Sequence, residues 1–229
     1  MLDLQGYGPS IIEGTVLTIN VSLTSLLIAT ALGVSGALAK LSKSRFLRFV
    51  AGLYTTVIRG IPDLVLMLLV FYGGQMLVNQ VAYSVGYEDY IDINPYIAGV
   101  LTIGFIFGAY MAETFRGAIL AVPGGQLEAG AAYGMSPLQV IVRVLLPQMV
   151  RHAIPGFGNN WLVLTKATAL VSIIGLDDMV RKATLASGAT RMPFTFYSVV
   201  AVNYLLVTTI SIYLLQWLER KYSLGVRKD

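Results

Sequence analysis

Five stretches of this chain are each apolar for long enough to cross a lipid bilayer, and nothing else in the sequence constrains its fold as tightly. Crossing about 30 Å of hydrocarbon takes about 20 residues at helical rise. Such runs occur near residues 12–39, 49–80, 95–121, 154–175 and 195–218. The chain is 56% hydrophobic and only 12% charged over 229 residues, more apolar surface than one soluble core of that length can hide. The expected fold is therefore all-α and polytopic, with five transmembrane helices.

No repeat, low-complexity segment or linker divides the sequence, so residues 1–229 read as a single transmembrane domain. The start carries no basic stretch followed by a short apolar run and a small-residue cleavage site, so the first apolar segment is expected to be a retained span. The absence of cysteine excludes disulfides, thiolate metal sites and cysteine nucleophiles.

The formal charge of +4 gains its meaning from placement. Lys40, Lys43, Arg45 and Arg48 occupy the first loop, and Arg220, Lys221, Arg227 and Lys228 the tail. Both segments are expected on the cytoplasmic side, which leaves the N-terminus outside. Arg116, Arg143 and Arg151 fall on the same inner side, against Arg181, Lys182 and Arg191 outside. Asp3, Glu13, Glu88, Asp89, Asp92, Asp177 and Asp178 then face outward, either as solvated loop charges or as a field that favours approaching cations.

The loop of about residues 122–153 is neither a plain polar linker nor a span. Gln126 to Tyr133 are helix formers apart from Gly130, with Glu128 placed to complement the helix dipole and Gly134 able to end the helix left-handed. Ser136-Pro137 is an N-cap followed by proline at the first helical position, so a second helix is expected to run toward Pro147. A bent pair of short helices with small residues on its face suits a groove on another protein.

The stretch "EAGAAYG" at 128–134, with "VLLP" at 144–147, resembles the cytoplasmic loop of permease subunits of ATP-binding-cassette importers. It departs from that pattern at Gly130 and Val144. "RGIPDLVLMLLVFYG", "GAYMAETFRGAILAVPGGQ", "GNNWLVLTKATALVSIIGLDD" and "LERKYSLG" extend the resemblance along the chain to polar amino-acid permeases, above all the histidine/lysine/arginine/ornithine type and its octopine/nopaline relatives.

The resemblance implies a five-helix subunit of a bacterial inner membrane that imports basic amino acids, or alternatively an opine or another polar amino acid. It implies a second homologous permease, two ATPase subunits carrying ATP and magnesium, and a periplasmic substrate-binding protein. It also makes the bent loop a coupling helix that docks on the ATPase through Glu128, Ala129 and Gly134, with Ala131, Ala132 and Met135 around them.

The chain has no G-x-x-x-x-G-K-[ST] phosphate loop, so ATP hydrolysis belongs to a partner and no cofactor is expected here. One histidine, His152, and no H-E-x-x-H or G-x-S-x-G leave neither a catalytic nor a metal constellation. A passive pore or receptor would have no use for a rigid docking loop.

Ionisable groups inside spans cost about 2.5–3.5 kcal/mol each and point to function. Here they are Arg59, Asp63, Glu113 and Lys166. The second segment would be about 48 Å long as one helix, and Gly60 with Pro62 should break it so that Asp63 begins a half-helix at mid-depth. Asp63 then has three readings: it receives a cationic substrate, it stabilises the half-helix N-terminus, or it pairs with Arg59. Glu113 reads as a structural acid, with Lys166 as the expected partner, or as a further group on the substrate path. Asn159, Asn160, Trp161, Thr165, Lys166, Thr168 and Ser172 recur as a polar stripe that lines a path or joins helices. "GFIFG", residues 104–108, reads as a helix-packing site open to the second permease.

Overall fold

The computed structural model describes residues 4–222. Asp3, Arg227, Lys228 and the last residues of "LERKYSLG" lie outside them. Nine α-helices are present among the described residues: α1 (Gly8–Leu41), α2 (Arg45–Gly60), α3 (Asp63–Ser84), α4 (Pro95–Leu120), α5 (Gly124–Ala132), α6 (Pro137–Val140), α7 (Leu146–Ala167), α8 (Met179–Thr190) and α9 (Pro193–Tyr222). A π-turn over Ile141–Leu145 joins α6 to α7, and a 3-10 turn over Thr168–Ser172 ends α7. Four helices, α1, α3, α4 and α9, are long and apolar enough to cross a membrane. The 22-residue α7 is long enough but interrupts its apolar residues with Arg151, His152, Asn159, Asn160 and Lys166.

The centre is α4: 61% of its most apolar window is buried, against 6% for α9. Its small residues allow this. A Cβ on Gly104 would stand 2.7 Å from Ile28 Cγ2, and one on Gly108 would stand 2.8 Å from Leu32 Cβ. From the other side, a Cβ on Gly33 of α1 would run into Met111 Cβ. Backbones pressed this close gain dispersion contact, which lipid does not supply as a driving force between helices. The glycines of "GFIFG" thus serve helix packing, as expected, with α1 of the same chain against them.

The second apolar segment breaks where the sequence required. Ile61, ahead of proline, is extended (φ −110°, ψ 139°), Pro62 follows at φ −57°, and α3 starts at Asp63. By contrast, Pro147 does not stop the helix begun at Ser136. The wide π-turn opens the spiral just before Pro147, which enters α7 in its first turn, where the missing N–H is not needed. Pro155 lies inside α7 as well. The expected span at 154–175 is accordingly shifted: α7 covers 146–167, and the 3-10 turn and Gly175 at φ +96° close it.

A smaller cluster, Ile11, Met179, Ala183, Ala186, Phe196 and Val200, packs α8 between the start of α1 and α9. Between α3 and α4, the strand-like backbone of residues 91–93 is held by two buried amides one turn apart on α3. Asn79 accepts from Ile91 N–H at 2.8 Å and donates to Ile91 C=O at 2.9 Å, while Gln75 accepts from Ile93 N–H at 2.8 Å.

Candidate functional site

The helix break brings a carboxylate and a guanidinium near one aromatic ring. Asp63 is half-buried in the first turn of α3 and makes no ion pair or hydrogen bond with another described residue. Arg59, in the last turn of α2, does not reach it, because the extended Ile61-Pro62 link takes the two residues off a common helix face. Its guanidinium carbon instead stands 5.5 Å from the centre of the Tyr110 ring, a cation–π arrangement. The charges of Asp63 and Arg59 both reach the Tyr110 hydroxyl, so the three residues form one neighbourhood. Pairing with Arg59 is thereby removed from the three readings of Asp63. Its position at the α3 N-terminus keeps the dipole reading alongside the substrate-facing one.

Glu113 is paired, but not with Lys166. Lys40 of α1 donates to it, Arg116 stands 3.7 Å away, and the Lys40 ammonium also donates to Thr55 of α2 at 2.8 Å. Lys166 is exposed and has no ion pair among the described residues. The reason is rotational: α4 meets α7 through Met111 and Thr114, where Asn160 donates to the Thr114 hydroxyl at 2.9 Å, and Glu113 lies about 100° round the helix from Thr114.

The polar residues of α7 do not form one stripe. Asn160, Thr165 and Thr168 are buried, and the two threonine hydroxyls donate back to Trp161 C=O at 2.9 Å and Thr165 C=O at 2.6 Å. Ser172 does the same toward Ala169 C=O at 2.7 Å. Asn159 is exposed in a hollow of about 280 Å³ shared with Gln216 and Glu219 of α9. None of these residues makes a hydrogen bond or ion pair with Asp63.

The bent loop has the geometry its sequence required. Met135 N–H donates to Gly130 C=O at 3.2 Å and Gly134 N–H to Ala131 C=O at 2.9 Å, with Gly134 at φ +82°. Ser136 and Gln139 then cap the next helix reciprocally, at 3.4 Å and 2.9 Å. Gly130 is the one buried residue of α5, because α5 crosses the π-turn there; a Cβ would meet Val140 and Val144 at 3.4 Å. Glu128, Ala129, Ala131, Ala132 and Gly134 are exposed and Met135 is half-buried. Tyr133, at 89%, and Leu138, at 70%, add apolar side chains facing away from the fold.

Sequence reasoning missed Tyr110, the Lys40–Thr55 contact and the Gln75/Asn79 cradle. Lys40 carried a signal, since it lies at the very end of α1 rather than in the loop beyond. Asp178 was read as an outer-loop acid, yet it is fully buried as the N-cap of α8, where its Oδ1 accepts from Arg181 N–H at 2.9 Å. Burial pushes its carboxyl up to about 6, and Oδ2 has no partner among the described residues.

Among the described residues the fold is all-helical, with apolar spans, a broken helix carrying charge and a capped loop, which is the architecture of a polytopic membrane protein. The family described as binding-protein-dependent transport system inner membrane component matches residues 25–224, and the chain belongs to it. It is 49% identical to the histidine/lysine/arginine/ornithine transport system permease protein HisQ of Salmonella typhimurium, over 98% of each chain. The octopine transport system permease protein OccQ of Rhizobium meliloti is 39% identical over 99% of this chain and 98% of its own. Among solved structures, a crystal structure of an amino acid ABC transporter with histidines aligns with a TM-score of 0.82 at 32% identity, covering 96% of this chain and 97% of that one.

Proposed function

We propose that this chain is the permease subunit of an ATP-driven importer that carries basic amino acids across the bacterial inner membrane. The observation that carries the reading is Asp63: a carboxylate at a helix break inside an apolar segment, left unpaired by the cations among the described residues. Such a group is costly unless a cation arrives to meet it, and a guanidinium, ammonium or imidazolium side chain does so. Arg59 on the Tyr110 ring suits the α-carboxylate of the same substrate. The resemblance to HisQ, at 49% identity, supports this substrate class.

In this reading α7 makes the fifth crossing, with the N-terminus outside and the α1–α2 and α4–α7 connections in the cytoplasm. The exposed faces of α3 and α9 suit a second permease. The α5–α6 elbow docks on an ATPase through Glu128, Ala129, Ala131, Ala132, Gly134 and Met135, and a binding protein delivers substrate from outside. ATP-driven movement of the elbow then alternates access to Asp63.

The test is uptake by the assembled importer in vesicles. Arginine and lysine should accumulate with ATP and binding protein while glutamate does not, and Asp63→Asn should cut that uptake about tenfold or more, the loss of one charge-assisted contact, with assembly intact. Equal uptake by variant and parent returns Asp63 to a purely helix-stabilising role. Preference for an opine over arginine reassigns the substrate.

A further inference from the structure

The side of α1 and α2 that faces away from the core carries an apolar cleft that the transport reading does not use. Leu32, Gly36 and Ala39 of α1, Leu47, Val50, Ala51 and Tyr54 of α2, and Phe105 of α4 enclose a hollow of about 440 Å³. A second hollow, of about 390 Å³, shares Val50, Tyr54 and Phe105 and continues along α2 to Ile58. From Leu47 to Ile58 the groove runs about 17 Å along the helix. Its polar atoms are turned inward: the Tyr54 hydroxyl donates to Phe105 C=O, and the Ser35 hydroxyl donates to Ala31 C=O at 2.8 Å. The surface left to an occupant is hydrocarbon and aromatic ring.

At one end of this groove α1 and α2 converge on the loop Ser42–Ser44. Lys43 and Arg45 stand there, exposed, and their side chains have no hydrogen-bond or ion-pair partner among the described residues. Arg48 differs, since its guanidinium donates to Ser42 C=O at 2.8 Å and is tied to the loop. Leu47 opens the hollow less than one turn along α2 from this loop, which puts both cations at the groove's end.

We propose that the α1–α2 cleft is a binding site for an anionic phospholipid, with one acyl chain lying along Val50, Tyr54 and Phe105 and the phosphate held by Lys43 and Arg45. Charge complementarity selects this occupant, because a negative headgroup over a hydrocarbon tail matches two free cations over an apolar slot. The larger unpartnered faces, on α3 and α9, are elsewhere.

The test uses the purified assembled importer, titrated in detergent with phosphatidylglycerol or with phosphatidylcholine of the same chains, and followed by thermal unfolding and by native mass spectrometry. Phosphatidylglycerol should bind about thirtyfold more tightly, the share expected of two cations near a headgroup. A photoreactive group midway along its acyl chain should label the Leu47–Tyr54 segment. Lys43→Ala with Arg45→Ala should erase the preference without changing subunit composition, and Val50→Trp, which narrows the groove from its half-open edge, should abolish the labelling. Equal binding of the two lipids, retention of the preference in the double variant, labelling confined to other helices, or full stabilisation by inorganic phosphate alone would each overturn the proposal.

Discussion

Lys40, in the last turn of α1, donates at once to Glu113 of α4 and, at 2.8 Å, to the Thr55 hydroxyl of α2, so one ammonium ties three helices together. The side chains of the pair are 17% and 25% exposed, which leaves little water to compensate a missing partner. Lys40→Met should destabilise the purified subunit by about 2 kcal/mol, because Glu113 then keeps only Arg116 at 3.7 Å. Adding Glu113→Leu should recover most of that loss, since removing both charges also removes the buried unpaired acid. Thermal unfolding of the single and double variants measures the difference, and a double variant no better than the single one refutes it.

Tyr110 offers a finer probe of the proposed substrate site. Tyr110→Phe keeps the ring under Arg59 and should leave arginine uptake nearly unchanged. Tyr110→Leu removes a contact of about 0.5–2 kcal/mol and should raise KM several-fold at constant subunit assembly. Identical kinetics for the two variants would show that the ring does not position Arg59.

The two glycines of the elbow should respond in opposite directions. Gly130→Ala replaces a poor helix former where the new methyl meets Val140 and Val144 at 3.4 Å, an ordinary contact, and should stabilise α5 by about 1 kcal/mol. Gly134→Ala forces a side chain to φ +82° and should cost about 1–2 kcal/mol. Protease resistance of the loop, read at the exposed Tyr133, reports both.

Asp178 predicts a pH dependence of stability. Its folded carboxyl titrates near 6 against 3.8 ordinarily, so the folded state holds the proton more tightly than the unfolded chain does. The stability this carboxyl contributes is then fullest below about pH 4 and is lost as pH rises through about 6, by up to about 3 kcal/mol. Asp178→Asn keeps an oxygen to cap Arg181 N–H and should flatten that slope between pH 4 and 7. Unfolding scans of both forms across this range check it; an unchanged slope assigns the dependence to another group.

The Gln75/Asn79 cradle predicts where local opening begins. Asn79→Ala strips Ile91 N–H of its acceptor and should lower protection there by about 1–3 kcal/mol. Amide exchange at Ile91 should accelerate accordingly, with α3 itself unchanged. No acceleration would mean that the loop is held by its apolar contacts alone.

Most of the architecture was legible in the sequence because its causes are local. Length and apolarity mark α1, α3, α4 and α9, the pre-proline residue Ile61 starts the break, and Ser136 with Gln139 and Gly134 punctuate the elbow. The break and cap signals act within about four residues of the structure they produce, and the span signals lie within the helices they mark. The misplaced boundary at Pro147 has the same locality with the opposite outcome: a π-turn just upstream absorbed the proline, and the residues of that turn give no simple periodic sign of it.

Partnership between helices was not legible, since it depends on rotation about axes that sequence spacing leaves free. Sequence alone determined that Asp63 begins a half-helix inside an apolar segment, and that Glu113 needs a cation. Only the packing of α4 against α1 and α2 decided that Lys40 supplies that cation rather than Lys166. The same packing set Arg59 on the Tyr110 ring and left Asp63 without a partner among the described residues, because the glycines of α1 and α4 fix how closely and at what rotation those two helices meet.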